Sequence, residues 1–412
     1  MKEMVSILKL IEAYDDCCKT KKGSVDYQHF CINAEYELYK LYKELNNGTY
    51  KPSNSVAFLV HHPKDREVFA ANFRDRIVQH LLIAEIRENF ELEIIDDSYS
   101  CRVGKGTLYG INRCYEQIVE CSNNFTVKTY IGKFDVKSFF TSIDKNKLWD
   151  CLDRFLIKYF SENEEHLAFL KWLTKLIVYD DPKNNCIIKG DFREWKCLPK
   201  SKSLFFCGDN KGLPIGNLTS QIFANLFMDL LDKFIKEKLL VKYYGRYVDD
   251  FFIVSRSVSE IIEFMRLIKE FLLTMGLELH PNKIYIQEVN KGLEFLGTII
   301  KPNRKYVKGS TKSNFYKKLK FFDKYLEENE NIDIYDLRYI QSVINSFIGY
   351  FMKCNSFNLR KKMLSKENIP NIYKYFVVNL NYNKIVLEKD YCYLLRNASR
   401  IKERYQVNKL CA

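Results

Sequence analysis

The chain has 412 residues and 13 cysteines, yet no two of them are spaced as Cys-x-x-Cys; the nearest neighbours are the adjacent Cys17 and Cys18. Scattered thiols in odd number argue against a disulfide framework and a zinc site, and they suit a reducing compartment. The six histidines offer no pair at i, i+4 spacing; His61 and His62 are adjacent, which reads as surface or ligand contact rather than metal ligation. The opening stretch "MKEMVSILKLIEAYDD" lacks the uninterrupted apolar core of a signal peptide. No run of 18 apolar residues occurs, so no transmembrane helix is expected and the reading is cytoplasmic. Internal repeats and low-complexity blocks are also missing. Tryptophan is scarce, with 3 residues against 28 Tyr and 30 Phe.

What is present is a globular composition, 47% hydrophobic, on a chain long enough for a large core and more than one subdomain. The net charge is +13, and its location matters more than its size. From Lys301 to Ala412 there are 23 Lys+Arg against 10 Asp+Glu, which leaves 42 of each in the first 300 residues. The whole excess therefore lies in the last quarter of the chain, where a polyanion such as nucleic acid is the natural partner.

Periodicity divides the chain into alternating helical and strand-like stretches. Residues 4–48 read as helices, with apolar positions at Ile7, Leu10, Ile11 and Tyr14, then Tyr36, Leu38, Leu41 and Leu45. "VAFLVHHPKDREVFAANF" reads as two strands around a turn at Pro63–Asp65, and the segment after it has helical spacing. "YIGKFDVKSFF" is an apolar strand ending in polar and aromatic residues. Residues 145–178 read as helix, 179–210 as loops and short strands, and roughly Thr219 to Leu239 as one long helix. "VKYYGRYVDDFFIVS" reads as two apolar strands meeting at Asp249-Asp250, and the tail beyond about 310 is mostly amphipathic helix.

Two carboxylates side by side between apolar strands are costly to bury unpaired. Acids are common in tight turns, but here a bound cation would remove the cost. Asp135, at the end of another apolar strand in "KFDVKSFF", supplies a third acid. Magnesium prefers carboxylate oxygens and leaves positions open for water and phosphate. Two such ions about 4 Å apart hold both the attacking and the leaving oxygen of a phosphoryl transfer.

With these residues assembled, the chain resembles the reverse transcriptases. "YVDD" is similar to that family's signature hairpin, "FDVKSFF" to its first catalytic strand and "GLPIGNLTSQ" to its loop–helix motif, with "LELHPNKIYI" and "LEFLG" following in order. Upstream, "HPKDREV", "FRDRIVQHLL" and "SYSCRVGKGT" resemble the fingers segments of bacterial retroelement enzymes, so the matches run from about Val56 to Gly297. The resemblance implies an α/β (α+β) right-hand polymerase fold. Fingers would occupy 1–130 with a further piece within 155–210, an antiparallel-sheet palm 131–305, and a helical basic thumb 306–412. It implies RNA-directed DNA synthesis with two Mg²⁺ ions, Mn²⁺ being the alternative. Expected partners are an RNA template, an RNA–DNA duplex and dNTPs, with no membrane.

The roles follow position by position. Asp135 and Asp249 are the expected metal ligands, with Asp250 supporting. Phe140 matches the bulky residue that excludes a ribose 2′-OH. Lys64 and Arg66 match the triphosphate-binding pair, a mobile point charge beside a planar fork. Lys283 matches a lysine that protonates the pyrophosphate leaving group. Arg102 and Lys105 are expected at the template, and Tyr247 with Arg246 at the primer end. Ile215, Gly216 and Gln221 belong to the nucleotide floor, with Thr219 or Ser220 capping the helix that follows. The loop is no P-loop, since no lysine follows Gly216.

The branch is read from departures. The chain has no "VTG" of the retron type, and because the expected thumb takes up the tail after Gly297, the endonuclease extension of full group II intron proteins is not expected. Most relatives carry Gln-Gly where this chain has Ile215-Gly216, and Ser-Pro at Ser220-Gln221. The "IGNLTSQ" form resembles the reverse transcriptases of diversity-generating retroelements, which copy template RNA with errors at adenines beside a small basic accessory protein. A phage-defence enzyme copying a dedicated noncoding RNA is the alternative, both readings being bacterial or phage-encoded. A non-catalytic RNA-binding protein on a polymerase scaffold and a metal-dependent nuclease are the rivals from other classes.

Overall fold

A computed structural model describes residues 3–21, 24–61, 64–329 and 332–388. His62, and the part of the expected thumb from 389 to 412, lie outside the described residues. The chain divides into two compact units, Met1–Gln287 and Glu288–Ala412. This division precedes the expected boundary at 305/306.

The first unit opens with three helices, α1 (Ile7–Lys21), α2 (Val25–Ile32) and α3 (Ala34–Asn46). Leu10, Ala13 and Cys17 form the buried stripe of α1, and Leu38, Leu41 and Leu45 that of α3. Strands β1 (Ser55–Val60) and β2 (Arg66–Ala70) pair antiparallel, with Val60 opposite Arg66. Helix α4 (Phe73–Glu93) follows, capped by the Asn72 side chain, which accepts from the Arg74 N–H. Its buried residues include Phe73, Ile77, Val78, Leu81, Leu82 and Phe90, so α4 is apolar around much of its circumference and runs through the core.

Next come α5 (Thr107–Cys121), β3 (Tyr130–Asp135), the short α6 (Phe139–Ser142), α7 (Lys145–Phe160) and α8 (Glu164–Tyr179). Strand β4 (Cys186–Ile188) returns to pair parallel with β1, giving a three-stranded sheet of order β2-β1-β4. Helix α9 (Leu218–Lys233) ends in a π-helical turn, Phe234–Lys238. Strands β5 (Tyr243–Tyr247) and β6 (Asp250–Ser255), helix α10 (Val258–Thr274) and strand β7 (Tyr285–Glu288) complete the unit. The second sheet has the order β5-β6-β3-β7, and β6 pairs antiparallel with both β5 and β3. Phe251, Phe252, Ile253 and Val254 of β6 are all buried, which is why the strand reads as an unbroken apolar run.

The second unit holds an antiparallel meander of β8 (Leu293–Phe295), β9 (Thr298–Lys301) and β10 (Arg304–Val307). Helices α11 (Gly309–Glu328), α12 (Ile334–Phe351) and α13 (Phe357–Met363) follow, then a small hairpin of β11 (Phe376–Val378) and β12 (Ile385–Leu387). Phe315, Leu319, Phe322, Leu337, Ile344 and Phe351 are among the residues of its own core. Among the described residues the basic tail carries the helices its periodicity predicts as far as Met363, and the β11–β12 hairpin follows where helix was expected. Among the described residues no helix is long and apolar enough to cross a membrane.

Candidate active site

Strand pairing assembles the acidic residues. Asp135, the last residue of β3, lies directly opposite Asp250, the first of β6, and Tyr247 of β5 opposes Asp250 on the other side. Val248 and Asp249 form the two-residue turn between β5 and β6. The Val136 N–H donates to the Asp249 carbonyl oxygen at 3.2 Å, so the ladder extends past Asp135 and brings Asp249 beside it. On the other edge, the His280 N–H donates to the Asp135 carbonyl oxygen at 2.7 Å. Lys283, in the turn just after His280, reaches both Asp135 carboxylate oxygens at 2.8 Å.

The electrostatics are those of crowded carboxylates. Burial, with Asp135 nearby, pushes Asp249 up to about 6. Burial also raises Asp250, against the pull of Lys133, whose ammonium lies 3.0 Å from Asp250 Oδ2. Asp250 Oδ1 is buried with no hydrogen-bond partner. Three carboxylates thus face two ammonium groups, Lys133 and Lys283, and one oxygen is orphaned. That donor set suits a divalent cation and phosphate oxygens. Asp135, Asp249 and Asp250 are nonetheless not drawn into one tight cage. Among the described residues, the one trio of His, Cys, Asp or Glu with ligand atoms all within 4.8 Å of one another is His61, Asp65 and Cys197, all exposed.

The glycine loop forms a second cluster. Gly212 N–H donates to the Ile143 carbonyl oxygen and Leu213 N–H to that of Phe140, both at 2.8 Å. The Phe69 N–H donates to the Ile215 carbonyl oxygen at 2.9 Å, fixing the loop to β2. Gly216 has φ +120°, and a Cβ there would lie 2.8 Å from Val68 Cγ1 and 3.2 Å from the Phe69 carbonyl oxygen. Phe140 is half-buried, its ring 5.2 Å from that of Phe139. Gln221 is exposed and accepts from Cys101 Sγ at 2.9 Å. Thr219 and Ser220 do not cap α9: they lie buried in its first turn, and Asn217 holds the cap position. The Asn217 side chain instead accepts from the Ala71 N–H at 3.3 Å.

The remaining expected site residues fall into two groups. Lys64 and Arg66 are exposed at the β1–β2 tip, and among the described residues neither pairs with a carboxylate. Arg102 and Lys105 are not free cations. Arg102 donates to the Glu91 carboxylate at 2.8 Å and to the carbonyl oxygens of Glu91, Ile95 and Ser98, with its side chain only 6% exposed. Lys105 donates to the Asp96 carboxylate at 3.0 Å and the Asp96 carbonyl oxygen at 2.7 Å. Arg246, expected at the primer end, is fully buried on an ion pair with Asp232. Strand alternation separates it from its half-buried neighbour Tyr247: successive side chains point to opposite faces. Sequence reasoning missed Lys133, although its position two residues before Asp135 places both on one face of β3.

A family model described as reverse transcriptase (RNA-dependent DNA polymerase) matches residues 62–300, more than half of the chain. The chain belongs to that family. It is 26% identical over 246 residues to the putative COX1/OXI3 intron 2 protein of Saccharomyces cerevisiae, covering 58% of this chain and 25% of that protein. To protein YkfC of Escherichia coli it is 23% identical over 296 residues, covering 63% of this chain and 70% of that one. The chain therefore spans about a quarter of the yeast relative's length. Similar solved structures include telomerase from Candida albicans with a fragment of telomeric RNA, at TM-score 0.46 and 14% identity, covering 83% of this chain and 59% of that one. Apo telomerase from Candida tropicalis truncated from its C-terminal domain gives TM-score 0.43 and 13% identity, covering 61% and 53%.

Proposed function

We propose that the chain is an RNA-directed DNA polymerase that extends a primer on an RNA template. The observation that carries this reading is the meeting of Asp135 and Asp249 at adjacent strand ends in a chain of this family. Asp135 and Asp249 would hold two Mg²⁺ ions, with Asp250 supporting. Such ions, when bound, polarise phosphate oxygens and lower the pKa of the attacking hydroxyl. The primer 3′-hydroxyl gives its proton to solvent, its oxygen bonds the α-phosphorus, and the bond from that phosphorus to pyrophosphate breaks. Lys283, released from Asp135, delivers a proton to the leaving pyrophosphate. Lys64 and Arg66, at the tip of the proposed fingers, bind the triphosphate. The Phe140 ring leaves a ribose 2′-OH no space, and Ile215 with Gly216 forms a floor for the nascent pair. Primer extension on RNA with dNTPs and Mg²⁺ tests this. Asp249→Asn is expected to abolish metal-dependent extension; equal activity of wild type and variant would refute it.

Ile215 favours the error-prone, diversity-generating branch over the defence branch. Isoleucine offers shape to the nascent pair but no donor or acceptor. A polar contact there is worth roughly 1 kcal/mol, about fivefold in discrimination. Sequencing of cDNA is expected to show fewer errors opposite template adenine for Ile215→Gln. Equal error rates would remove this support for the branch.

A further inference from the structure

The turn that carries Asp249 is strained, and the strain has an identifiable holder. Val248 sits at φ +58°, a region that β-branched residues rarely enter. Both of its backbone polar groups are tied from outside the hairpin's own ladder. The Val248 carbonyl oxygen accepts from Arg246 Nη1 at 3.0 Å, and the Val248 N–H donates to Ser100 Oγ at 3.3 Å.

Arg246 makes a complete set of contacts. A guanidinium has five N–H donors, and here each has an acceptor. Nε donates to Asp232 Oδ1 at 2.7 Å, and Nη2 to Asp232 Oδ2 at 2.5 Å and Ser98 Oγ at 3.0 Å. Nη1 donates to Asn225 Oδ1 at 3.1 Å as well as to Val248. Ser100 Oγ donates to the same Asn225 oxygen at 3.1 Å, so the two groups that grip Val248 share one anchor. Asn225 and Asp232 lie on α9, the helix that starts just after the Ile215–Gly216 loop. Ser98 pairs with Arg246 as a short parallel extension of β5.

A buried ion pair is an inefficient way to stabilise a fold, because the desolvation of both ions offsets their attraction. What a planar five-donor fork supplies is geometry. We propose that Arg246 and Ser100 are positioning residues that hold the Val248–Asp249 turn in its strained form, so that the Asp249 carboxylate faces Asp135. This rests on the polymerase reading for its catalytic consequence, but not for its metal-binding consequence.

The test uses Ser100→Ala, the milder lesion, with Arg246→Lys, and each combined with Val248→Gly. Glycine takes φ +58° without a steric penalty. Ser100→Ala is expected to lower kcat for nucleotide addition roughly tenfold with little change in KM for dNTP. Val248→Gly should restore most of that loss and, by relieving the strain, raise the melting temperature of Ser100→Ala as well. Mn²⁺ affinity, read by electron paramagnetic resonance and so independent of turnover, should fall in the single variants and return in the doubles. If kcat, KM and melting temperature fall together without rescue, or if Mn²⁺ affinity is unchanged in Ser100→Ala, the inference is overturned. A wild type that binds Mn²⁺ but extends no primer would refute the polymerase reading alone.

Discussion

Asp249 combines two demands that conflict. As the proposed metal ligand its carboxylate would have to be ionised, yet burial and the adjacent Asp135 raise its pKa from 3.8 to about 6. A carboxyl that is harder to ionise folded than unfolded makes the fold lose stability as pH rises through that window. With metal chelated, Asp249→Asn is therefore expected to be more stable than wild type at pH 8 and no more stable at pH 4, measured by urea midpoints. Asp180 and Asp229, also pushed by burial to about 6, contribute to the same pH slope. The difference between variant and wild type isolates Asp249. Asp135 and Asp249 stood out in the sequence because ionisable residues interrupting apolar strands need an explanation. The place of Arg246 did not, since its five acceptors come from three separate segments.

At the scale of elements, the loop 212–216 is the connection that matters. It is bonded to the α6 segment through Phe140 and Ile143 and to β2 through Phe69. The position of Ile215 is thereby set by β2, the strand that begins with Arg66. Gly216 permits this approach. Gly216→Ala would meet Val68 and the Phe69 carbonyl oxygen at a φ that alanine avoids, and is expected to cost about 1–3 kcal/mol. A lowered urea midpoint together with reduced nucleotide addition checks it; an unchanged midpoint would show that the loop relaxes freely. Behind β2, buried Glu67 accepts from Trp195 Nε1 at 2.7 Å and from the Ser203 hydroxyl and Leu204 N–H at 2.5 Å. This ties the segment that follows β4, residues 195–204, to the first sheet. A lone Glu in "DREVFAANF" gave no sign of it, because its partners lie far along the chain.

For the whole molecule, the charge asymmetry is the broadest feature. The surplus of 23 basic over 10 acidic residues after position 300 falls in the second unit, the proposed thumb. If that unit grips an RNA–DNA duplex through phosphates, affinity should fall with salt at a slope set by the number of contacts. Replacing the exposed Lys312 and Lys317 of α11 by alanine is expected to reduce the log–log salt slope by about one to two. Binding isotherms across a salt series would show it, and an unchanged slope would place the contacts elsewhere.

The sequence by itself determined most element types, the core-facing stripes, the acidic turn and the family, because these depend on local periodicity and ordered short motifs; it did not show α5, the break between α7 and α8 or the β11–β12 hairpin. Only the tertiary structure decided which polar groups remain free to act. Arg102, Lys105 and Arg246 look alike as basic residues beside motifs, yet each is already paired with a carboxylate of the chain, whereas Lys133 and Lys283 stand on the acidic centre. The physical reason is that hydrogen-bond satisfaction is set by neighbours in space. A strand pairing or a helix crossing, invisible in the order of residues, determines which cation is left for a ligand.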